Sequence, residues 1–296
     1  MTAKISAKQV EMHYSVRSGD GKRETITVLD DFSLEVQEGE FLALLGPSGC
    51  GKSTFLSLLA GLSKQTGGVL EVDGEQVSGV NRRHGFVFQG YALFPWRTVQ
   101  GNVEAGLEIR GVPKKERREI AQEYIRLVGL QSFASRYPHE LSGGMRQRVA
   151  IARSLAYDPD VLLMDEPFAA LDAQTREILQ SELLRIWDAS RKTIVFITHS
   201  LDEAIFLADR VAVMTARPGK VKEIIDIPLE RPRPADIRNS DSFTRLRQRA
   251  WSILKDEVEL AQTAGWPGRD DGPAEAGAGK ERSAHDGGKP VFEAAQ

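Results

Sequence analysis

The chain has 296 residues, 41% of them hydrophobic and 27% charged, enough for one large core or a core with a small appendage. A formal net charge of −3 gives no global electrostatic reason to bind nucleic acid. The longest apolar runs, such as FLALLG and TIVFIT, fall well short of the roughly 20 residues that cross a bilayer. The N-terminus has no signal-peptide apolar region, and the single cysteine, Cys50, excludes an internal disulfide. The expectation is a cytoplasmic protein that meets a membrane only through a partner.

In chain order, AKQVEMHYSV and TITVLDDFSLEV flank the polar turn RSGDGKRE, and their alternation predicts a half-buried antiparallel sheet. FLALLG is a continuous apolar run ending in glycine, as in a buried parallel strand, and KSTFLSLLAGL continues with helical spacing. GGVLEVDG and HGFVFQ read as further strands, and the charge-rich stretch 98–140 as a helical insertion. From Ser142 onward helix and strand alternate through GGMRQRVAIARSLAY, VLLMDE, TREILQSELLRIWDAS, TIVFIT, LDEAIFLAD and RVAVMT. That order predicts an α/β fold on a mainly parallel sheet, with an N-terminal antiparallel β subdomain and a helical subdomain at about 98–158. A proline-punctuated linker and helical extension follow at 231–262, and the Gly- and Pro-rich tail 263–296 is expected to be disordered.

The segment GPSGCGKST places Gly46, Pro47, Ser48, Gly49, Cys50, Gly51, Lys52, Ser53 and Thr54 between a buried strand and a helix. It fits G-x-x-x-x-G-K-[ST] in the context that pattern requires. Glycines let backbone N–H groups curl around phosphates, and the helix N-terminus adds partial positive charge. Lys52 can reach the β- and γ-phosphates of a nucleotide, and Ser53 can ligate Mg²⁺. A second carboxylate near the metal is supplied by VLLMDE, a buried strand whose end presents Asp165 and Glu166. Asp165 is expected to hold the metal, and Glu166 to polarise the attacking water, turned away from its neighbour by strand alternation. In LSGGMRQRVAIARSLAYDP, Ser142 precedes Gly143 and Gly144 at a helix start, a second anion site in the same chain.

That segment resembles the signature of ABC ATPases, a branch of the P-loop NTPase fold, with Met145 where glutamine is commonest. The resemblance covers about residues 5–230 as one nucleotide-binding domain. It implies that the signature of one subunit closes over the ATP held by the phosphate loop of another, giving two ATPs in a head-to-tail dimer. It further implies that Gln89 senses Mg²⁺ and the attacking water, that Asp172 crosses the dimer interface, that His199 contacts the γ-phosphate and that Tyr14 stacks on adenine. Partners would be integral membrane permease subunits and, indirectly, a solute-binding protein. The chain would then sit on the inner face of the membrane.

Within the family, VFQGYALFPWRTVQGNV and ARPGKVKEIIDIPLERPRP resemble importers of the nitrate, sulfonate and taurine group, with Pro95 and Trp96 where a permease helix would dock. An exporter subunit and a soluble non-transport ATPase of the same family are the alternatives. Two further expectations concern side chains: Arg231, Arg233, Arg238, Arg245, Arg247 and Arg249 as a solvated basic face, and alkylation of Cys50 as a block to ATP turnover.

Overall fold

Each central strand of the fold turns alternate side chains into two different cores. The computed structural model describes residues 3–17 and 23–263. Strands β3 (Phe41–Leu45), β6 (His84–Val87), β7 (Val161–Asp165), β8 (Thr193–Thr198) and β9 (Arg210–Met214) run parallel. With antiparallel β10 (Val221–Asp226) they form a six-stranded sheet in the order β10-β9-β3-β8-β7-β6. Leu42 and Leu44 of β3, Leu163 of β7 and Val195 and Ile197 of β8 enter one core. Phe41, Ala43, Met164 and Phe196, one position out of step, enter the other. Being buried on both faces is why these strands read as unbroken apolar runs. Truncating one such side chain, for example Leu44→Ala, costs about 2–5 kcal/mol.

On the first face lies helix α1 (Lys52–Leu59), beneath a second, antiparallel sheet of β1 (Ala3–Arg17), β2 (Arg23–Gln37), β4 (Gly67–Val72) and β5 (Glu75–Gln76). Against the other face pack α4 (Gly143–Ala156), α5 (Ala173–Ser190) and α6 (Leu201–Leu207), and α2 (Val99–Ile109) and α3 (Lys114–Leu127) extend that core by packing on α4. The strand expected in GGVLEVDG therefore belongs to the antiparallel sheet, and HGFVFQ ends as a strand at Val87, two residues before Gln89. The tail expected at 263–296 lies, from residue 264, outside the described residues, as do residues 18–22 of the predicted polar turn.

Helix α7 (Asp241–Thr263) closes the second core with Phe243, Ala250 and Leu254. The arm before it corrects the expectation of a solvated basic face. Arg233 is 6% exposed and donates to the carbonyls of Ile205, Phe206 and Ala208 at 3.2, 2.9 and 2.8 Å. These are carbonyls at the C-terminal end of α6, which no intrahelical N–H can satisfy. Arg231 bonds Asp209 Oδ1 at 2.9 Å and lies 4.1 Å over the Trp187 ring. Burial and the neighbouring Arg231 charge lower the Arg233 pKa to about 10, against the pull of Asp209 and Asp188. Arg247 and Arg249 are exposed and pair with Asp202 and Glu223.

Candidate functional site

The register of the parallel sheet fixes which loops become neighbours. Leu45 lies opposite Thr198, Asp165 opposite Ile197 and Val87 opposite Met164. The residues that follow those strand ends, Gly46, His199, Glu166 and Gln89, therefore emerge along one edge, at the carboxyl ends of parallel strands where α/β folds bind ligands.

The loop Gly46–Thr54 turns back on itself into α1. Gly51 has φ 106°, and a Cβ there would stand 2.8 Å from Leu29 Cδ2, so any other residue would be strained and would crowd Leu29. As the N-cap of α1, Gly51 offers no side chain to the first-turn N–H groups. Those donors and the helix dipole face an incoming anion. Lys52, 6% exposed, donates from Nζ to the carbonyls of Gly46 and Pro47, both at 2.8 Å. Its ammonium is thereby held inside the curve of the loop. The Cys50 thiol packs into the core between the two sheets and lies 3.8 Å from Lys52 Nζ. Burial pushes that thiol above its ordinary pKa despite the nearby Lys52 charge, which disfavours the thiolate that alkylation requires.

Ser53 Oγ donates to Asp165 Oδ1 at 3.1 Å. Burial pushes the Asp165 carboxyl above its ordinary range and the adjacent Glu166 charge adds to the rise, while the Ser53 bond and the Lys52 charge oppose it. Lone carboxylates resist burial, and an added cation would remove the penalty. Glu166 departs from Asp165 by a different route from strand alternation. Strand β7 ends at Asp165, and Glu166 has φ 46°, the left-handed conformation that costs a non-glycine residue on the order of 1 kcal/mol. Its N–H is tied to the carbonyl of Ile197 at 3.1 Å. Its Oε2 receives Gln89 Nε2 at 3.3 Å and lies 3.3 Å from His199 Nδ1.

Six expected residues, Lys52, Ser53, Gln89, Asp165, Glu166 and His199, thus form one connected cluster. Three other expected features stand apart from it. Ser142 is the N-cap of α4, its Oγ accepting from Met145 N at 3.3 Å. Among the described residues no hydrogen bond or ion pair joins Ser142, Gly143 or Gly144 to the loop Gly46–Thr54. Asp172 caps α5, accepting from Thr175 N at 2.9 Å, and that bond holds its carboxyl below the ordinary range. Tyr14, 41% exposed, pairs across the sheet with Ile26. It lies two residues beyond Met12, which pairs with Leu29, the residue packed on Gly51; that is about 7 Å along the strand.

Two clusters escaped the sequence reading. Asn102, fully buried, accepts from Phe94 N at 2.8 Å, and the two hydrogens on its Nδ2 are shared among the carbonyls of Phe94, Arg97 and Thr98. It rigidifies the loop that carries Pro95 and presents Trp96 at 71% exposure. Arg153 of α4 donates to Ala92 O at 2.7 Å and Tyr91 O at 3.3 Å, joining the helix headed by Ser142 to the loop that begins at Gln89. The second cluster is Glu203, 8% exposed on α6, with Thr198 and Gln180. Nothing in LDEAIF marks Glu203 as the buried member of its two adjacent acids, Asp202 and Glu203.

The sequence profile of the family described as ABC transporter matches residues 29–169. An uncharacterised ABC transporter ATP-binding protein of Methanocaldococcus jannaschii is 58% identical over 79% of this chain and 86% of its own. The nitrate import ATP-binding protein of Synechocystis is 46% identical over 79% of this chain and 91% of its own. The aliphatic sulfonates import ATP-binding protein of Bacillus cereus is 42% identical over 83% and 93%. Among solved structures, a dimeric ATP-binding cassette in a post-hydrolysis state with ADP and Pi is 33% identical. It superposes with a TM-score of 0.68 over 76% of this chain and 100% of its own.

Proposed function

Because the chain belongs to the ATP-binding proteins of ABC transporters and is an ATPase of that family, we propose that it energises the import of a small anion such as nitrate, an aliphatic sulfonate or taurine. The observation that carries the reading is the division of the site. Lys52, Ser53, Asp165, Glu166, Gln89 and His199 converge at one strand edge, while the second anion-binding element, Ser142–Gly144, makes no bond to it. Such a site is completed by the Ser142 helix of a second copy, and the dimeric solved relative supports that arrangement.

In the proposed mechanism the loop N–H groups and Lys52 bind the phosphates, and Glu166 accepts hydrogen bonds that orient the attacking water. Gln89 and His199 hold the Glu166 carboxylate in place, and His199 contacts the γ-phosphate. Asp172 lies across the interface and Tyr14 stacks on adenine. A divalent cation fits the remaining donors. Ser53 Oγ and Asp165 Oδ1 are hard oxygens 3.1 Å apart beside the loop, the small protein share that Mg²⁺ takes when phosphates and waters complete its shell. Bound there, Mg²⁺ would neutralise charge on the phosphate oxygens.

Import is supported by the likeness to the nitrate import and aliphatic sulfonates import ATP-binding proteins. Among the described residues no helix is long and apolar enough to cross a membrane, so movement of solute requires permease subunits, docked from the cytoplasmic side at the Trp96 loop. The test is to purify the chain with its permease and solute-binding protein in vesicles and to follow ATP turnover. A small anion presented outside with the binding protein should raise turnover. Stimulation by solute from the ATP side alone would overturn the import reading.

A further inference from the structure

The C-terminal arm reaches the His199 turn through an unbroken chain of buried polar side chains. Arg238 Nη2 donates to Gln180 Oε1 at 2.6 Å, with its guanidinium 3.7 Å over the ring of Phe206. Gln180, 3% exposed on α5, donates from Nε2 to Glu203 Oε1 at 3.1 Å. Glu203 Oε2 accepts from Thr198 Oγ1 at 2.6 Å, and Thr198 Oγ1 in turn accepts from Ser200 N at 3.0 Å. The last two residues flank His199, so the chain of bonds ends by fixing the peptide on both of its sides.

Each link suits positioning better than simple stability. Gln180 must present its carbonyl to Arg238 and its amide to Glu203, so the guanidinium selects the amide orientation that satisfies the carboxylate. Glu203 also lies 3.8 Å from Arg176 Nε, and Arg176 Nη2 bonds Leu171 O at 2.9 Å, next to Asp172. One buried carboxylate therefore steadies both the His199 turn and the Asp172 turn. Arg233, on the same arm, seals the far end of the helix that begins just after His199.

We propose that Arg238 is a positioning residue for ATP hydrolysis, acting through Gln180, Glu203 and Thr198 to hold His199 where it meets the γ-phosphate. The proposal rests on the reading of His199 given above. Misplacing one contact at the reacting group while leaving the phosphate loop intact lowers turnover rather than binding.

The test uses the full-length chain with Arg238→Met, which keeps an apolar stem over Phe206, Arg238→Lys, and Gln180→Met as an independent break in the same chain of bonds. Arg238→Met and Gln180→Met should each lower kcat about tenfold with little change in KM or ATP affinity. Arg238→Lys, which can still donate to Gln180, should retain more activity than Arg238→Met. In a His199→Ala background Arg238→Met should cause no further loss, because coupled residues are not additive. Thermal melts confirm that the variants are folded. An unchanged kcat in Arg238→Met, or the same loss with and without His199, would overturn the proposal. Full turnover in His199→Ala alone would instead remove the role of His199, and the proposal with it; loss in His199→Ala beside normal Arg238→Met overturns only the proposal.

Discussion

His199 Nδ1 stands 3.3 Å from Oε2 of Glu166, at the ends of two neighbouring parallel strands. Gln89 Nε2 approaches the same oxygen at 3.3 Å. A carboxylate held by two partners is oriented before any water arrives, the requirement for a group that accepts a proton or aligns a nucleophile. Glu166→Gln keeps the shape and removes the charge. Turnover should fall by about 10²- to 10⁴-fold while ATP binding persists, as read by phosphate release and equilibrium binding on the same sample. Hydrolysis at the unaltered rate would take Glu166 out of the mechanism.

Lys52 is bonded to two carbonyls of its own loop, so its charge is aimed rather than free to swing. Losing one charge-assisted contact to a phosphate costs roughly 1.5–3 kcal/mol. Lys52→Ala should weaken ATP binding by about that amount and leave adenosine binding unchanged, measured side by side by calorimetry. Equal losses for both ligands would mean that the loop had collapsed.

Cys50 lies within the phosphate loop by sequence but within the core by side chain, 1% exposed and with its thiol pKa raised by burial. Thiol reagents should therefore label the native protein slowly and the denatured protein fast. Cys50→Ala should retain ATP turnover. Mass spectrometry of timed labelling provides the check, and rapid native labelling would contradict the placement.

Burial raises the Glu203 carboxyl above its ordinary value of 4.5, against bonds and charges from Thr198, Arg176, His199 and Gln180 that lower it. A folded-state pKa above the unfolded one means that the native protein binds more protons between the two values, so stability falls as pH rises through that window. Glu203→Gln cannot titrate. The melting temperature of the wild type relative to this variant should be highest below pH 4.5 and decline as pH rises from there. A gap that widens in favour of the wild type with rising pH would reverse the assignment.

What could be read from the chain was local. The phosphate loop is contiguous, its glycines and lysine are set by short-range geometry, and the continuous apolar runs betray strands buried on both faces. Asp165 and Glu166 were visible for the same reason. The misread features depend on distant partners. Arg231 and Arg233 look like surface charges until Asp209 and the carbonyls of α6 are brought to them. The left-handed turn at Glu166 is fixed by Ile197 on the neighbouring strand, and the Glu203 cluster draws members from α5, β8 and the arm. Pattern within a window cannot report an amide orientation chosen across such separations.

In the proposed dimer each chain supplies half of an active site, the loop Gly46–Thr54, and borrows Ser142–Gly144 from a second copy. Sedimentation of Glu166→Gln with and without ATP tests it most directly. ATP should convert monomer to dimer with one nucleotide per chain, and adding Ser142→Arg should abolish the dimer while each monomer still binds ATP. A Glu166→Gln chain that binds ATP yet stays monomeric at every concentration, or a dimer indifferent to Ser142→Arg, would contradict it.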